Sequence, residues 1–88
     1  MKISKQKREK IYEQILAYLY SISPKPIFTS HIAEEIARDE EFTKKLLIEL
    51  KNKKLVIQIR KNPQGIPYSR RSRWKLADSA YEIYKRNQ

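Results

Sequence analysis

The sequence predicts a small α+β domain whose elements run helix, short strand, helix, helix, strand, strand, helix. Three observations carry that prediction. Apolar residues recur at helical spacing in three segments before residue 54. Two β-branched or apolar runs, 55–60 and 70–76, bracket the only glycine of the chain, Gly65, which lies between Pro63 and Pro67. A last segment from Asp78 returns to helical spacing with Ala80, Tyr81, Ile83 and Tyr84. The 88 residues suffice for one domain, 1–88. A chain of this size buries only about 60% of its unfolded surface, so its core must be small.

The first helix is expected from near Ser4 to about Ser21, with Ile11, Ile15, Leu16, Tyr18, Leu19 and Ile22 on its apolar side. Lys5, Lys7, Arg8 and Lys10 crowd its start and make residues 1–10 a basic arm or first turn. Cations there oppose the helix dipole. Pro24 and Pro26 end the helix, because neither can donate to a continuing ladder. Ile27 and Phe28 form at most a minimal strand. Thr29 and Ser30 offer an N-cap to a compact helix through Ala37, with Ile32, Ala33 and Ile36 inward. Arg38–Glu41 is a brief turn in which Asp39 caps the third helix. That helix runs to about Lys53 and buries Thr43, Leu46, Leu47 and Leu50. Leu55–Arg60 and Arg70–Leu76 are strands joined by the turn Lys61–Ser69; Trp74 and Leu76 share one face, Arg73 and Lys75 the other. Asp78 caps a closing helix over 78–88.

Charge is segregated along this order. The net charge is +10. Residues 1–10 hold five basic groups and one acid, residues 11–50 four basic groups and seven acids, and residues 51–88 eleven basic groups and two acids. From Lys51 to Ala77 there are nine lysines and arginines and no acid at all. Charges placed only for solubility are usually interspersed. A basic hairpin folded back at a Pro–Gly–Pro turn suits a polyphosphate, and a nucleic acid is the leading partner.

The element order and three local runs resemble the winged helix-turn-helix superfamily. Thr29-Ser30-His31-Ile32-Ala33-Glu34-Glu35-Ile36 is similar to the first helix of its motif. Leu46 to Val56 is similar to a recognition helix passing into the wing, and Arg73-Trp74-Lys75-Leu76-Ala77-Asp78 to the strand-to-helix joint that closes such domains. The resemblance implies a helix-turn-helix over 29–53, a wing over 55–76, and a DNA-binding transcriptional regulator. Two departures stand out. The position before Leu55-Val56, often glycine in this superfamily, is Lys54, at a cost of up to about 1 kcal/mol if the left-handed geometry is kept. The third helix opens with Asp39-Glu40-Glu41, which suits the helix dipole but repels phosphate. DNA is therefore expected nearer the helix centre and the wing than the first turn.

Candidate DNA contacts on the third helix are Lys44, Lys45, Ile48 and Lys51. Exposed lysines are as often simply solvated, and Ile48 either meets a thymine methyl or packs under the wing. Around the wing the candidates are Arg60, Lys61, Gln64, Tyr68, Arg70, Arg71, Arg73 and Lys75; guanidinium groups bind phosphate bidentately and enter narrow minor grooves. The alternative is a solvated hairpin whose charges discourage edge aggregation. Ser30 and His31, at a helix start, are placed to touch phosphate or to cap. Tyr12, Tyr18, Tyr81 and Tyr84 lie on the first and last helices, either as a core rim or as a homodimer interface.

Other chemistry finds no residues to carry it. One histidine and no cysteine assemble neither a nucleophilic triad nor a plausible metal site, and one glycine makes no phosphate loop. Neither an enzyme nor a cofactor is expected. No apolar run is long enough for a membrane span, and the absence of cysteine fits a reducing compartment. The expected location is cytoplasmic, associated with the nucleoid. Two rivals stay open: a winged-helix protein-interaction module, favoured by the acidic helix start, and binding of RNA or a replication origin by the same basic surface.

Overall fold

Ser4 begins the first helix as expected: its Oγ accepts from the Lys7 N–H at 3.2 Å. The computed structural model describes residues 4–68 and 71–87. Its elements are α1 (Lys5–Ile22), β1 (Ile27–Phe28), α2 (Thr29–Ile36), α3 (Glu40–Asn52), β2 (Val56–Ile59), β3 (Arg73–Leu76) and α4 (Asp78–Arg86), in the expected order. Helix α1 buries Ile11, Ile15, Leu16 and Leu19 and stops at Ser23, before Pro24.

The start of α2 corrects the sequence reading. Neither Thr29 nor Ser30 caps it; the N-cap position is Phe28, which makes no side-chain cap bond. Thr29 is buried instead, and its Oγ1 accepts from the Trp74 indole N–H at 2.8 Å. A buried indole must place its only donor, and this threonine takes it. Helix α2 ends at Ala37, which is left-handed with φ 54°.

Asp39 caps α3 through Oδ2, which accepts from the Phe42 N–H at 3.1 Å. Thr43, Leu46, Leu47 and Leu50 form the buried stripe. The turn into β2 is held by the Leu55 N–H donating to the Leu50 carbonyl at 3.0 Å. Lys54, in the position where glycine is common, is left-handed with φ 64°.

Strand β3 is central in a three-stranded antiparallel sheet of order β1-β3-β2. Ile27 pairs with Trp74, and Val56 with Leu76. This register turns Trp74 and Leu76 into the core, where both are essentially unexposed. The strands β2 and β3 bracket Gly65 as the sequence predicts.

Asp78 does not cap α4. The N-cap is Ala77, and Asp78 is the first helical residue, its carboxylate near the positive end of the helix dipole. Ala80 is buried, and Tyr81 and Tyr84 pack on Tyr20 with ring centroids 5.3 and 5.5 Å away. Ile83 stays 53% exposed. Three helices, a β2–β3 hairpin forming the wing and a closing helix make this a winged helix-turn-helix.

Candidate nucleic-acid interface

Burying Thr43, Leu46, Leu47 and Leu50 forces Lys44, Lys45 and Ile48 outward on α3; the two lysines are exposed, and Ile48 is 38% exposed. Lys51 turns toward the wing, its Nζ donating to Gln58 Oε1 at 2.9 Å. Gln58 passes the link on, its Nε2 donating to Ser72 Oγ at 2.8 Å. The far flank of α3 is held differently. Glu49 accepts from Arg8 Nη1 at 3.0 Å and from the Tyr12 hydroxyl. Burial first, and then Glu49 as acceptor and as charge, push the Tyr12 phenol above its ordinary value. Arg8, read from sequence as part of a basic arm, has its charge paired across to α3.

Three elements meet at an open cleft of about 160 Å³ between the start of α2, the first half of α3 and the root of the wing. Ser30, Lys44 and Arg71 line it, together with Phe28, Glu40 and Glu41. Arg71 lies 4.7 Å over the Phe28 ring, a cation–π arrangement that holds the guanidinium at the cleft mouth. His31 and Tyr68 approach Phe28 edge-on, with centroids 6.4 and 5.3 Å away. The two glutamates make the cleft electrically mixed, unlike the wing.

The wing tip is closed by one side chain. Asn62 Oδ1 accepts from the Gln64 N–H at 3.0 Å and from the Ile66 N–H at 2.9 Å. The Asn62 N–H donates to the Ile66 carbonyl, and the Gly65 N–H to the Asn62 carbonyl, each at 2.9 Å. Gly65 has φ +83°, which only glycine adopts cheaply. Below the tip, Lys61 bridges to Pro67, and the Tyr68 N–H donates to the Arg60 carbonyl at 2.8 Å. Arg60, Lys61 and Gln64 are exposed.

The cations expected to gather on one basic hairpin do so only in part. Arg60, Lys61 and Arg71 project from the wing, and Lys44 and Lys45 from α3. Arg73 is drawn inward: its Nη2 donates to the Lys61 carbonyl at 3.4 Å and its guanidinium lies 5.8 Å from the Tyr68 ring. Its Nε is buried with no partner among the described residues. Tyr68, expected near the tip, packs on Phe28 instead. Lys75 sits at the other end of the hairpin, lining an open cavity of about 470 Å³ with Pro24, Asp78 and Tyr81. Ser69 and Arg70 lie outside the described residues. Of the tyrosines, Tyr12 is bound to Glu49, Tyr18 is half-buried, and Tyr81 and Tyr84 pack on Tyr20.

Sequence reasoning missed Phe28, Glu49, Gln58 and Asn62. Only Asn62 carried a local signal, because Asn-Pro favours turn initiation. No group of three histidines, acids or cysteines among the described residues is placed to hold a metal. No described helix is long and apolar enough to cross a membrane.

No family model and no curated protein matches the chain. Solved structures do match, and they share its winged helix-turn-helix fold. S. aureus MepR in its DNA-binding conformation aligns with TM-score 0.71 and 24% identity over 92% of this chain and 60% of its own. The S. aureus MepR–DNA complex aligns with TM-score 0.68 and 25% identity, covering 94% of this chain and 71% of its own. The PcaV transcriptional regulator of Streptomyces coelicolor, solved with its natural ligand, gives TM-score 0.68 and 19% identity over 96% of this chain and 55% of its own. The chain thus spans a little over half the length of most of these proteins.

Proposed function

We propose that this chain binds duplex DNA and regulates transcription, with α3 docking in the major groove and the wing gripping adjacent backbone or minor groove. The observation behind this reading is the convergence of Ser30, Lys44 and Arg71, from three separate elements, on one cleft. The major groove admits an α-helix, and a flanking hairpin then reaches the neighbouring phosphates. Lys44 and Lys45 are the residues to meet guanine edges or phosphate, and Ile48, 38% exposed, suits a thymine methyl. Glu40 and Glu41 keep phosphates away from the first turn of α3. The likeness to a MepR structure solved as a DNA complex, and to PcaV, a transcriptional regulator, supports the same reading.

A homodimer through α1 and α4 belongs to this proposal. Ile83 on α4 offers it an exposed aliphatic contact beside the tyrosine stack. Two-fold symmetry then calls for half-sites about one DNA turn apart. The protein acts where DNA is, in the cytoplasm and on the nucleoid, and needs no cofactor or catalytic group for this role.

Fluorescence anisotropy with random duplex DNA, single strands and structured RNA across several salt concentrations tests it. Five exposed cations, Lys44, Lys45, Arg60, Lys61 and Arg71, predict a log K against log salt slope of about −4 to −5 on duplex, at roughly −0.9 per phosphate. Weak, salt-insensitive binding to all three probes would favour a protein-interaction module. Preference for structured RNA would favour the RNA reading.

A further inference from the structure

Ile66 is the most exposed large aliphatic among the described residues, at 61%, against 38% for Ile48 and Ile57 and 53% for Ile83. It stands at the tip of a hairpin from an acid-free stretch, where such a side chain gains nothing from the core. Its backbone is nonetheless fixed at both polar groups: the N–H donates to Asn62 Oδ1 and the carbonyl accepts from the Asn62 N–H, both at 2.9 Å. Pro63 and Pro67 stiffen the two sides of the turn, and Gly65, with φ +83°, completes it. Arg60 and Lys61 stand just below, exposed. The tip is therefore an aliphatic point on a rigid support, carried toward its target by cations.

We infer that Ile66 is an apolar wedge that enters the minor groove of a bound duplex, partly unstacks a base step and bends the DNA at the wing. This rests on the duplex-binding reading above. Aliphatic side chains inserted between base steps kink DNA away from the minor groove, an unstacking cost offset by the contacts that the bend brings. Pyrimidine–purine steps such as TA open most readily, whereas A-tracts are stiff. The wedge thus makes flexibility at the wing contact a source of sequence preference that no hydrogen bond to a base would supply. Negative potential in the groove complements Arg60 and Lys61, and leaves the apolar tip to displace water rather than to pair.

The test uses the full chain with two probes, a duplex of alternating TA steps and an A-tract duplex, each about 20 base pairs long. Dyes at the two ends report bending, and 2-aminopurine in place of one adenine reports unstacking. Wild type is expected to bend the TA duplex, raise 2-aminopurine emission and bind it more tightly than the A-tract. I66A should bind the TA duplex about five- to tenfold more weakly and leave it straight. I66L should retain both effects. The salt slope should not change in either variant, because no phosphate contact is lost. Melting temperature should hold as well, since the side chain is exposed, so a folding defect is separable. Equal bending and affinity in wild type and I66A, with duplex binding otherwise intact, overturns the wedge alone. Absence of salt-dependent duplex binding by wild type overturns the underlying reading and the wedge with it.

Discussion

The wing and α3 form neighbouring surfaces, yet their chemistry differs. The wing comes from a stretch without an acid, and Arg60, Lys61 and Arg71 reach solvent from it unpaired by any described carboxylate. Helix α3 mixes signs: Glu40 and Glu41 face the same cleft as Lys44, and Glu49 on the opposite flank takes the charge of Arg8. A surface of one sign gives affinity and salt dependence; a surface of mixed sign gives orientation and selectivity. The wing is therefore expected to hold the duplex, and α3 to choose where along it the protein rests.

That division can be broken at the wing first. Replacing Arg60, Lys61 and Arg71 together by alanine should lower duplex affinity by about a hundredfold or more at physiological salt. It should also flatten the salt slope by about 3, measured by anisotropy titrations. Lys44→Ala and Lys45→Ala should each cost about tenfold; if they carry base contacts the loss will depend on sequence, and a selected high-affinity duplex will suffer more than a random one.

Changing Glu40 and Glu41 to glutamine should act in the opposite direction, tightening binding to random DNA about threefold to tenfold while reducing discrimination. Unchanged affinity would mean that no phosphate approaches the cleft. Arg8→Ala should leave the salt slope as it is. With both partners of its ion pair more than a third exposed, thermal melting should register a loss of no more than about 1 kcal/mol. A drop of about one in slope would return Arg8 to the phosphate-binding set.

The smallest effect concerns pH. The phenols of Tyr12, Tyr18 and Tyr84 are all raised above the ordinary value, chiefly by burial, with Glu49, Glu35 and Glu13 respectively adding to it. A raised folded value favours the neutral phenol in the fold. Their contribution to stability is complete below the ordinary phenol range and is lost as pH rises through the folded values. Ultraviolet titration should find late-ionising tyrosines, and Tyr12→Phe should remove one of them.

The fold was legible because its signals are local. Helical spacing in α1 and α3, prolines after α1, Asp39 as a cap and a lone glycine between prolines each act within a few residues. The role of Thr29 was not legible, because its partner Trp74 is far along the chain and a threonine before a helix ordinarily caps it. The wing candidates separated for a related reason. Alternation along a strand tells which face Arg73 and Lys75 share, but the cross-strand register decides what lies beside them. With Lys75 opposite Ile57 and Arg73 opposite Ile59, one reaches α4 and the other folds onto Tyr68, which itself packs on Phe28. Phe28 shows in the sequence only as a fragment of strand, although Arg71, Tyr68 and His31 all gather on its ring.

Whether α3 and the wing share the proposed duplex face can be read from backbone amide shifts while random duplex DNA is added to labelled protein. The largest changes are expected to fall together on Ser30, Lys44, Lys45 and Ile48 and on the tip from Gln64 to Ile66, while the outer side of α4 around Ile83 stays silent. Changes confined to α1 and α4, with the wing tip unmoved, would contradict a shared face.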